Sequence, residues 1–402
     1  MNHEQAVNYL HSLLKAMIGK KASDLFISND FPPSMKIDGK MTPVTAQRLN
    51  PVHTRALAHA IMNDKQKAEF EAEKECNFAI SPEGIGRFRV NVFMQQNHVG
   101  MVLRTITTQI PKFGELRLPV VLKDVALAKR GLVILVGGTG SGKSTSLAGM
   151  IDYRNENSHG HIITIEDPVE YVHKNKNCLI THREVGADTN SWFAALKNTL
   201  RQAPDVILIG EIRDRDTMEF AIAFAETGHL CMATLHANSA NQALDRIINF
   251  FPEERRAQLL MDLSLNLKAV VSQRLVPKKD GGGRCAAIEI LLNSPFVSDL
   301  IFKGEVHALK ETMAKSRELG MQTFDQALFE LYESGQISYE DALRNADSVS
   351  ELKLNIKLNS KTAQGEKAAP RLELSIHEPP RDEPPELPDA IGGPPPASAA
   401  AG

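Results

Sequence analysis

The sequence predicts an α/β protein with a smaller α+β domain preceding the main domain, and three observations lead to this prediction. From residue 120 onward, helical segments separate short β-branched runs at 132–136, 161–165, 206–209 and 230–235. Such alternation is typical of a parallel sheet with helical crossovers. A glycine-rich loop joins the first of these strands to a helix, which fits the same architecture. Before residue 108, apolar and polar residues alternate within the strands, which is typical of an antiparallel sheet with one solvated face.

The N-terminal domain is expected over residues 1–108. Apolar residues recur at helical spacing over 4–18, and a second helix is predicted over 51–70, where Pro51 suits the first turn. The predicted strands lie at 23–27, 35–41, 87–93 and 100–106. The segment at 35–41 is predicted to form a hairpin of two short strands that turns at Asp38-Gly39.

Composition divides the rest of the chain. Residues 109–119 contain two prolines and a glycine and are predicted to link the two domains. The larger α/β domain is expected over 120–292, ending in a pair of strands, and a helical subdomain over 293–350. We expect a disordered tail over 356–402, because nine of the 21 prolines lie after residue 369 and apolar residues show no periodicity there.

Composition also narrows the class of protein. The 402 residues carry a formal net charge of −3, so no global basic field favours nucleic acid as a partner. Apolar runs of about five residues fall far short of the roughly 20 that a membrane-spanning helix needs. The first 30 residues lack a signal-peptide pattern, and we therefore expect a cytoplasmic chain. The four cysteines are scattered without a C-x-x-C pair, which favours reduced thiols over a zinc ribbon or a disulfide framework.

The loop after the strand at 132–136 has the G-x-x-x-x-G-K-S pattern of a phosphate-binding loop. Its glycines let successive backbone N–H groups point at an anion, and the following helix adds the positive end of its dipole. Lys143 would hold the β- and γ-phosphates, and the Ser144 hydroxyl would bind Mg²⁺. A glycine turn that binds nothing is the alternative, but the complete pattern between strand and helix favours a bound nucleoside triphosphate. The predicted binding residues are Gly137, Gly138, Thr139, Gly140, Ser141, Gly142, Lys143, Ser144 and Thr145.

Acidic residues follow two other predicted strands. Glu166 comes directly after the strand at 161–165. Glu211 follows the strand at 206–209 after a glycine, which stands where a Walker B strand often has an acidic residue. Ligands of open α/β sheets bind at this edge, so Glu166 is the better candidate for the general base and Glu211 for the magnesium shell, through water. Either residue alone would also suit a helix cap or a pair with a surface arginine.

Two histidines flank the last strand of the series, and three arginines lie on predicted strands of the N-terminal domain. His236 follows the strand at a position that suits a γ-phosphate sensor, and a purely structural role is an equal alternative; His229 precedes the strand. Neither has a partner at the spacing of a zinc site. The default interpretation of the three arginines, Arg87, Arg89 and Arg104, is that they are solvated charges on the exposed face of the sheet. The more specific hypothesis is that they reach the nucleotide of a neighbouring subunit as arginine fingers.

Four ordered stretches of the sequence resemble the Walker A, Asp, Walker B and His boxes of secretion-superfamily ATPases. They lie at 137–144, 165–171, 202–214 and 226–238. Within that superfamily, the sequence is similar to the type IV pilus retraction motors of the PilT/PilU type over about residues 1–345. The resemblance implies a RecA-like P-loop ATPase core, a PAS-like N-terminal domain, and ATP with Mg²⁺ bound between the two.

The same resemblance implies an assembly and a cellular place. It implies a hexameric ring of identical chains in the cytoplasm, associated peripherally with the inner membrane at the pilus base. There the ring would dock beneath an inner-membrane platform protein, and hydrolysis would drive pilin removal and twitching motility. By box position it assigns Glu166 as the catalytic glutamate, Glu211 as the Walker B acid, and His229 and His236 as His-box residues. It favours Arg104 over Arg87 and Arg89 as the arginine that approaches the nucleotide.

Two departures distinguish the sequence within the superfamily. Pilus extension motors usually carry a four-cysteine zinc motif and a longer N terminus, and the lack of both favours retraction. Retraction motors carry an Ala-Ile-Arg-Asn-Leu-Ile-Arg signature, whereas residues 296–302 here read Phe-Val-Ser-Asp-Leu-Ile-Phe, without either arginine. This loss and the long tail favour the accessory PilU branch, with a retraction-motor paralogue as a partner.

Two alternatives stay open at the level of sequence. Rings that translocate nucleic acid or serve conjugation use the same core, although the sequence shows no basic stripe or aromatic stacking platform. A regulatory ring that binds ATP and merely supports another motor is the second alternative. DNA-stimulated ATPase activity that weakens steeply with salt would favour the first, and lack of turnover by the purified chain would favour the second.

Overall fold

Two β-sheets organise the part of the chain that the structure describes. In this computed structural model, the described residues are 1–37, 39–106 and 109–360. A six-stranded sheet belongs to the N-terminal segment, and a seven-stranded sheet belongs to the segment after residue 120. One apolar cluster fills the N-terminal domain, and two others cover the opposite faces of the larger sheet. The prediction of an α/β fold with a smaller α+β part is confirmed.

The N-terminal sheet is antiparallel and packs against three helices. Its elements are α1 (His3–Gly19), β1 (Asp24–Ile27), β2 (Ser34–Ile37), β3 (Lys40–Pro43), α2 (Pro51–Ile61), α3 (Asp64–Glu73), β4 (Glu75–Ile80), β5 (Arg87–Gln95) and β6 (His98–Ile106). The strand order is β3-β2-β1-β6-β5-β4. Arg104 on β6 lies directly opposite Asp24 on β1 and Arg89 on β5.

The helix predicted over 51–70 is in fact two helices, α2 and α3. Asn63 starts the second one, because its side chain accepts a hydrogen bond from the Gln66 backbone while the Gln66 side chain accepts one from the Asn63 backbone. This reciprocal capping satisfies two backbone donors at a new helix start. The hairpin predicted at 35–41 is present as β2 and β3, but Asp38 of its turn lies outside the described residues.

The larger sheet carries the predicted phosphate loop. Its strands are β7 (Gly131–Val136), β8 (Gly160–Glu166), β9 (Cys178–Glu184), β10 (Val206–Ile209), β11 (Leu230–Leu235), β12 (Leu267–Pro277) and β13 (Arg284–Leu292), in the order β13-β12-β7-β11-β10-β8-β9. The pairs are parallel except for β12 and β13. The four strands expected from the β-branched runs and the final strand pair are confirmed. The edge strand β9 was not predicted, because polar residues interrupt it.

The remaining helices connect these strands or follow them. They are α4 (Val121–Ala126), α5 (Lys143–Asn157), α6 (Trp192–Thr199), α7 (Arg215–Glu226), α8 (Ala240–Asn249), α9 (Glu253–Asn266), α10 (Pro295–Lys303), α11 (Leu309–Lys315), α12 (Phe324–Glu333), α13 (Tyr339–Arg344) and α14 (Val349–Asn359). The parallel register brings the C-terminal ends of β7, β8, β10 and β11 to one edge of the sheet. The loops that carry most of the predicted site residues therefore start at the same edge.

Two segments differ from what the composition suggested. Residues 356–359 belong to α14 instead of the tail, because Leu352 and Ile356 are one helical turn apart and bury themselves against Phe324 and Leu328 of α12. The rest of the predicted tail lies outside the described residues. The predicted linker is packed, with Phe113 and Leu118 buried in the cluster that includes α5. Among the described residues, no helix is both long enough and apolar enough to span a bilayer.

Candidate functional site

The phosphate loop lies between β7 and α5, and its shape depends on two glycines. All six residues of β7 are buried, so the loop starts from a fixed strand. Gly140 has φ of +75° and Gly142 has φ of +86°, values in the left-handed region that favours glycine. A Cβ atom on Gly142 would also lie 2.7 Å from the Gln273 side-chain nitrogen. The backbone conformation therefore favours glycine at the residue before Lys143, and a side chain there would also displace the Gln273 amide.

Lys143 folds back over this loop. Its Nζ donates hydrogen bonds to the backbone oxygens of Gly137, at 2.8 Å, and Gly138, at 3.0 Å. Burial lowers the pKa of Lys143, while the carboxylates of Glu211 and Glu170 oppose that shift. The ammonium group is thus held among backbone groups at the point where the loop would receive phosphate oxygens.

Gln273 on β12 holds the loop from the opposite side, a role that sequence reasoning missed. Its Nε2 donates to the Ser141 carbonyl at 2.9 Å, and its Oε1 accepts from the Ser146 hydroxyl at 2.7 Å. The side chain is 4% exposed, so both contacts are shielded from water. The available signal was the predicted strand at 269–276, in which three consecutive polar residues, 272–274, interrupt an otherwise apolar run.

Glu166 ends β8 beside the start of α5. The side chain is half-buried, and burial raises the pKa of Glu166 to about 7, against the opposing effect of hydrogen bonds from Thr164 and the Glu170 backbone. One small cavity of about 30 Å³ is lined by Glu166 together with Ser144, Tyr171 and Thr234. A carboxyl group that titrates near neutral pH is well suited to act as a general base. The structure therefore brings Glu166 together with the predicted phosphate loop.

Glu211 and His236 contact each other at the same edge. The Glu211 carboxylate lies 3.1 Å from His236 Nε2 and accepts a 2.8 Å hydrogen bond from Arg213 Nε. The preceding residue, Gly210, explains the departure from the usual Walker B pattern. A Cβ atom at Gly210 would lie 3.1 Å from Glu166 Cα, so a larger residue would displace the candidate base.

His229 does not lie at this edge. It precedes β11, and its carbonyl accepts from the Gly131 backbone at the N-terminal start of β7. Six strand residues separate it from the edge with the loop, about 20 Å at 3.3 Å per residue. Its ring contacts the Thr227 hydroxyl and the Phe224 carbonyl, at 3.0 and 3.2 Å. Within one chain, the prediction that His229 belongs to the catalytic set is therefore not supported by its position.

The arginines of the N-terminal domain have two different settings. Arg104 Nε donates to Asp24 at 2.8 Å, and the Arg104 side chain is 67% exposed. Arg87 instead reaches the larger domain, where its guanidinium lies 2.5 Å from Glu184 on β9. Glu184 also accepts a 3.2 Å hydrogen bond from the Val169 backbone, in the loop after Glu166. The sequence did not indicate this contact between the domains.

A larger cleft of about 540 Å³ adjoins the loop and is lined by different residues from the cavity that contains Glu166. Its lining includes Gly142, Thr145 and Ser146 from the loop and the start of α5, together with Arg117 and Arg284. Its volume suits a cofactor-sized ligand. The cleft could therefore hold the remainder of a nucleotide whose phosphates occupy the loop.

The donor set fits a magnesium ion that shares its shell with phosphate and water. Ser144 offers a hydroxyl beside Glu166, and Glu211 offers a carboxylate at the same edge. Oxygen ligands in small number suit Mg²⁺, which usually keeps several waters. The described residues contain no cluster of three or more His, Cys, Asp or Glu that would hold a metal alone. The four cysteines are buried and free.

Comparisons with known proteins connect this geometry to a family. The family described as type II/IV secretion system protein matches residues 2–319. The type IV pilus ATPase PilU of Pseudomonas aeruginosa is 63% identical over 350 residues, which cover 87% of this chain and 92% of that protein. The type IV pilus retraction ATPase PilT of the same organism is 44% identical over 325 residues, which cover 81% of this chain and 94% of that protein.

A solved structure agrees with these sequence relatives. The crystal structure of the pilus retraction motor PilT with bound ADP matches this chain with a TM-score of 0.80 at 40% identity. The match covers 86% of this chain and 98% of the other.

Proposed function

The chain belongs to the type II/IV secretion system protein family, and from that membership we propose that it is an ATPase motor of type IV pilus retraction in the PilU branch. Identity to PilU is 63%, against 44% to PilT from the same organism. The resemblance that the four boxes indicated is confirmed, as is the RecA-like core behind a smaller N-terminal domain. The observation that carries the functional proposal is the convergence of Lys143, Ser144 and Glu166 at one sheet edge.

The proposed reaction is hydrolysis of the terminal phosphoanhydride of ATP. Lys143 exchanges its loop carbonyls for β- and γ-phosphate oxygens, and Glu166 accepts a proton from the attacking water. Ser144 would hold Mg²⁺ and Glu211 would contact the metal's water shell, with His236 fixing the Glu211 carboxylate. The metal, when bound, offsets charge that develops on the phosphate oxygens. The PilT structure with ADP supports a nucleotide in a site of this family.

The proposed setting is a hexameric ring of this chain in the cytoplasm, held peripherally at the inner membrane beneath a pilus platform protein. We further propose that the ring works with a retraction-motor paralogue. In support, Phe302 of α10 stands where the retraction signature has its second arginine, and its side chain is 57% exposed. An exposed phenylalanine cannot replace the charge-assisted hydrogen bonds of an arginine, so the two types of motor would present different surfaces there.

A deletion strain tests the function. Loss of the gene is expected to leave cells with excess surface pili and reduced twitching, and the wild-type gene is expected to reverse both. Complementation with the Glu166→Gln form is expected to fail, since that form would bind ATP without turnover. Bald cells would instead indicate a role in pilus extension and would contradict the proposal. Pilus counts by electron microscopy and twitching-zone diameter are the measurements.

Arg104→Ala is expected to lower ATP turnover by roughly 10³-fold if the arginine acts as a finger toward a neighbouring subunit's nucleotide. The Arg104 side chain is 67% exposed but its partner Asp24 is only 8% exposed, so the melting temperature should fall by several degrees while the fold is kept. Mixing Arg104→Ala with Glu166→Gln subunits should restore part of the turnover, because some interfaces then combine an intact arginine with an intact glutamate.

Arg48→Ala is the matched control for this test. Arg48 lies in the same domain, is also 67% exposed and also pairs with an aspartate, Asp30. Its replacement should leave turnover unchanged. If a mixture of Arg104→Ala and Glu166→Gln subunits regains no ATP turnover, Arg104 does not act on the nucleotide of a neighbouring subunit.

A further inference from the structure

Three polar side chains form a hydrogen-bonded row that ends at Glu166. Thr164 lies two residues before Glu166 on β8, so both side chains point to the same face of the sheet. His182 is the direct register partner of Thr164 on β9. Its Nδ1 lies 2.9 Å from the Thr164 hydroxyl, and hydrogen bonding from the Thr164 side chain lowers the pKa of the neighbouring Glu166 carboxyl group against the larger effect of burial.

The direction of each hydrogen bond in this row follows from one backbone group. The His173 N–H donates to His182 Nε2 at 3.0 Å, so that nitrogen is an acceptor and carries no proton. The proton of neutral His182 is then on Nδ1, which donates to the Thr164 oxygen. The Thr164 hydroxyl can then donate its own proton toward the Glu166 carboxylate, which lies on the same face of β8 and whose pKa the Thr164 side chain lowers.

Packing holds the row in place. Thr164 is fully buried, and His173 is 7% exposed. The His173 and His182 rings are stacked with an interplanar angle of 13° and centroids 5.8 Å apart. Burial lowers the pKa of His182, which keeps the ring neutral and the acceptor nitrogen available. The remaining charged groups that face the row are Glu170, Lys176, Asp188, Glu184 and, from the N-terminal domain, Arg87.

We propose that Thr164 and His182 are positioning residues for ATP hydrolysis, since their fixed hydrogen-bond direction holds one oxygen of Glu166 and orients the other toward the attacking water. This inference rests on the proposed ATPase function. A general base contributes only when its oxygen is within hydrogen-bond reach of the proton that it accepts. A glutamate at the end of a strand has rotatable side-chain bonds, so a donor two residues earlier on the same face restricts its position.

The direct test is Thr164→Val, which keeps the β-branched shape and removes the hydroxyl. We expect kcat for ATP hydrolysis to fall about 10-fold. This is a fraction of the roughly 10²–10⁴-fold that a general base contributes, because Glu166 itself is retained. KM and the nucleotide dissociation constant should stay within about twofold, because the phosphate loop is untouched. Thr164→Ser retains the hydroxyl and should keep kcat near the wild-type value. Loss of kcat in both variants would indicate a packing effect and would overturn the proposal.

A second pair of variants tests the other end of the row, at His182, where the side chain is only half-buried. His182→Leu should lower kcat as Thr164→Val does. His182→Gln should preserve it, because an amide oxygen accepts from the His173 N–H while the amide nitrogen donates to Thr164. The double variant that combines Thr164→Val with His182→Leu should be no slower than either single variant, since both substitutions interrupt one row.

The outcomes separate this inference from the proposed function. If the wild-type ring shows no ATP turnover, the proposed ATPase function itself fails. If the wild type turns over and Thr164→Val and His182→Leu match it in kcat, only the positioning role is overturned. Additive losses in the double variant would likewise contradict a single row. Circular dichroism melting curves of the full chain establish that each variant is folded.

Discussion

Replacing Glu166 by glutamine is expected to abolish ATP turnover while nucleotide binding persists. Glutamine has nearly the same shape and still fills the end of β8, but it cannot accept a proton at neutral pH. General-base catalysis contributes about 10²–10⁴-fold, so kcat should fall by at least that range. Steady-state phosphate release gives kcat, and fluorescence titration with an ATP analogue gives the dissociation constant.

Glu170→Gln is the control for the Glu166 prediction. Glu170 lies four residues further along the same loop and is exposed, and its backbone N–H lies 3.5 Å from the Glu166 carboxylate. Removing its charge should leave turnover within a small factor of the wild type. If Glu166→Gln turns over as fast as the wild type, another group accepts the proton, and the assignment of the base is wrong.

Replacing Lys143 by alanine is expected to remove most of the affinity for nucleotide. The ammonium group is buried beside the loop and supplies charge-assisted hydrogen bonds to phosphate, each stronger than a neutral one. Loss of about 3 kcal/mol corresponds to a dissociation constant raised by roughly 10²-fold. Isothermal titration calorimetry with ADP and ATP measures this change.

Lys197→Ala controls for loss of a lysine in general. Lys197 is exposed on α6 and lies over the Phe193 ring, away from the phosphate loop. This variant should bind nucleotide like the wild type. Tight binding by Lys143→Ala would show that the loop backbone alone holds the phosphates.

Much of the site could be predicted because it is local in sequence. The loop pattern fixes a strand, a turn and a helix start within fifteen residues, and Glu166 and Glu211 closely follow buried runs of the same parallel sheet. The sequence also indicated that His229 lies away from the other candidates. It precedes its strand whereas they follow theirs, and the two ends of a parallel strand lie at opposite edges of the sheet. The capping pair of Asn63 and Gln66 was a further sequence signal for the break between α2 and α3.

The contacts that the sequence did not indicate are distant ones. Gln273 supports the loop from a strand more than a hundred residues later in the chain. The partner of Thr164 is on β9, whose polar residues hide its strand character. Arg87 contacts the larger domain through Glu184, although as a strand residue it resembled a solvated charge. Periodicity describes which face of an element is buried, but it does not state what lies across from that face.

The ion pair of Arg87 and Glu184 has a thermodynamic consequence for the motor cycle. Glu184 is 5% exposed while the two domains are in contact, and separating them would remove the Arg87 counterion from its carboxylate. Loss of one partner while the other stays buried costs roughly 3–5 kcal/mol, and water that reaches Glu184 on separation reduces this cost. Because Glu184 is the register partner of Glu166, a movement of the N-terminal domain that breaks the pair would also act on the strand beside the candidate base. Movement of the N-terminal domain and the position of Glu166 would then be coupled, so that each could influence the other during one round of ATP hydrolysis.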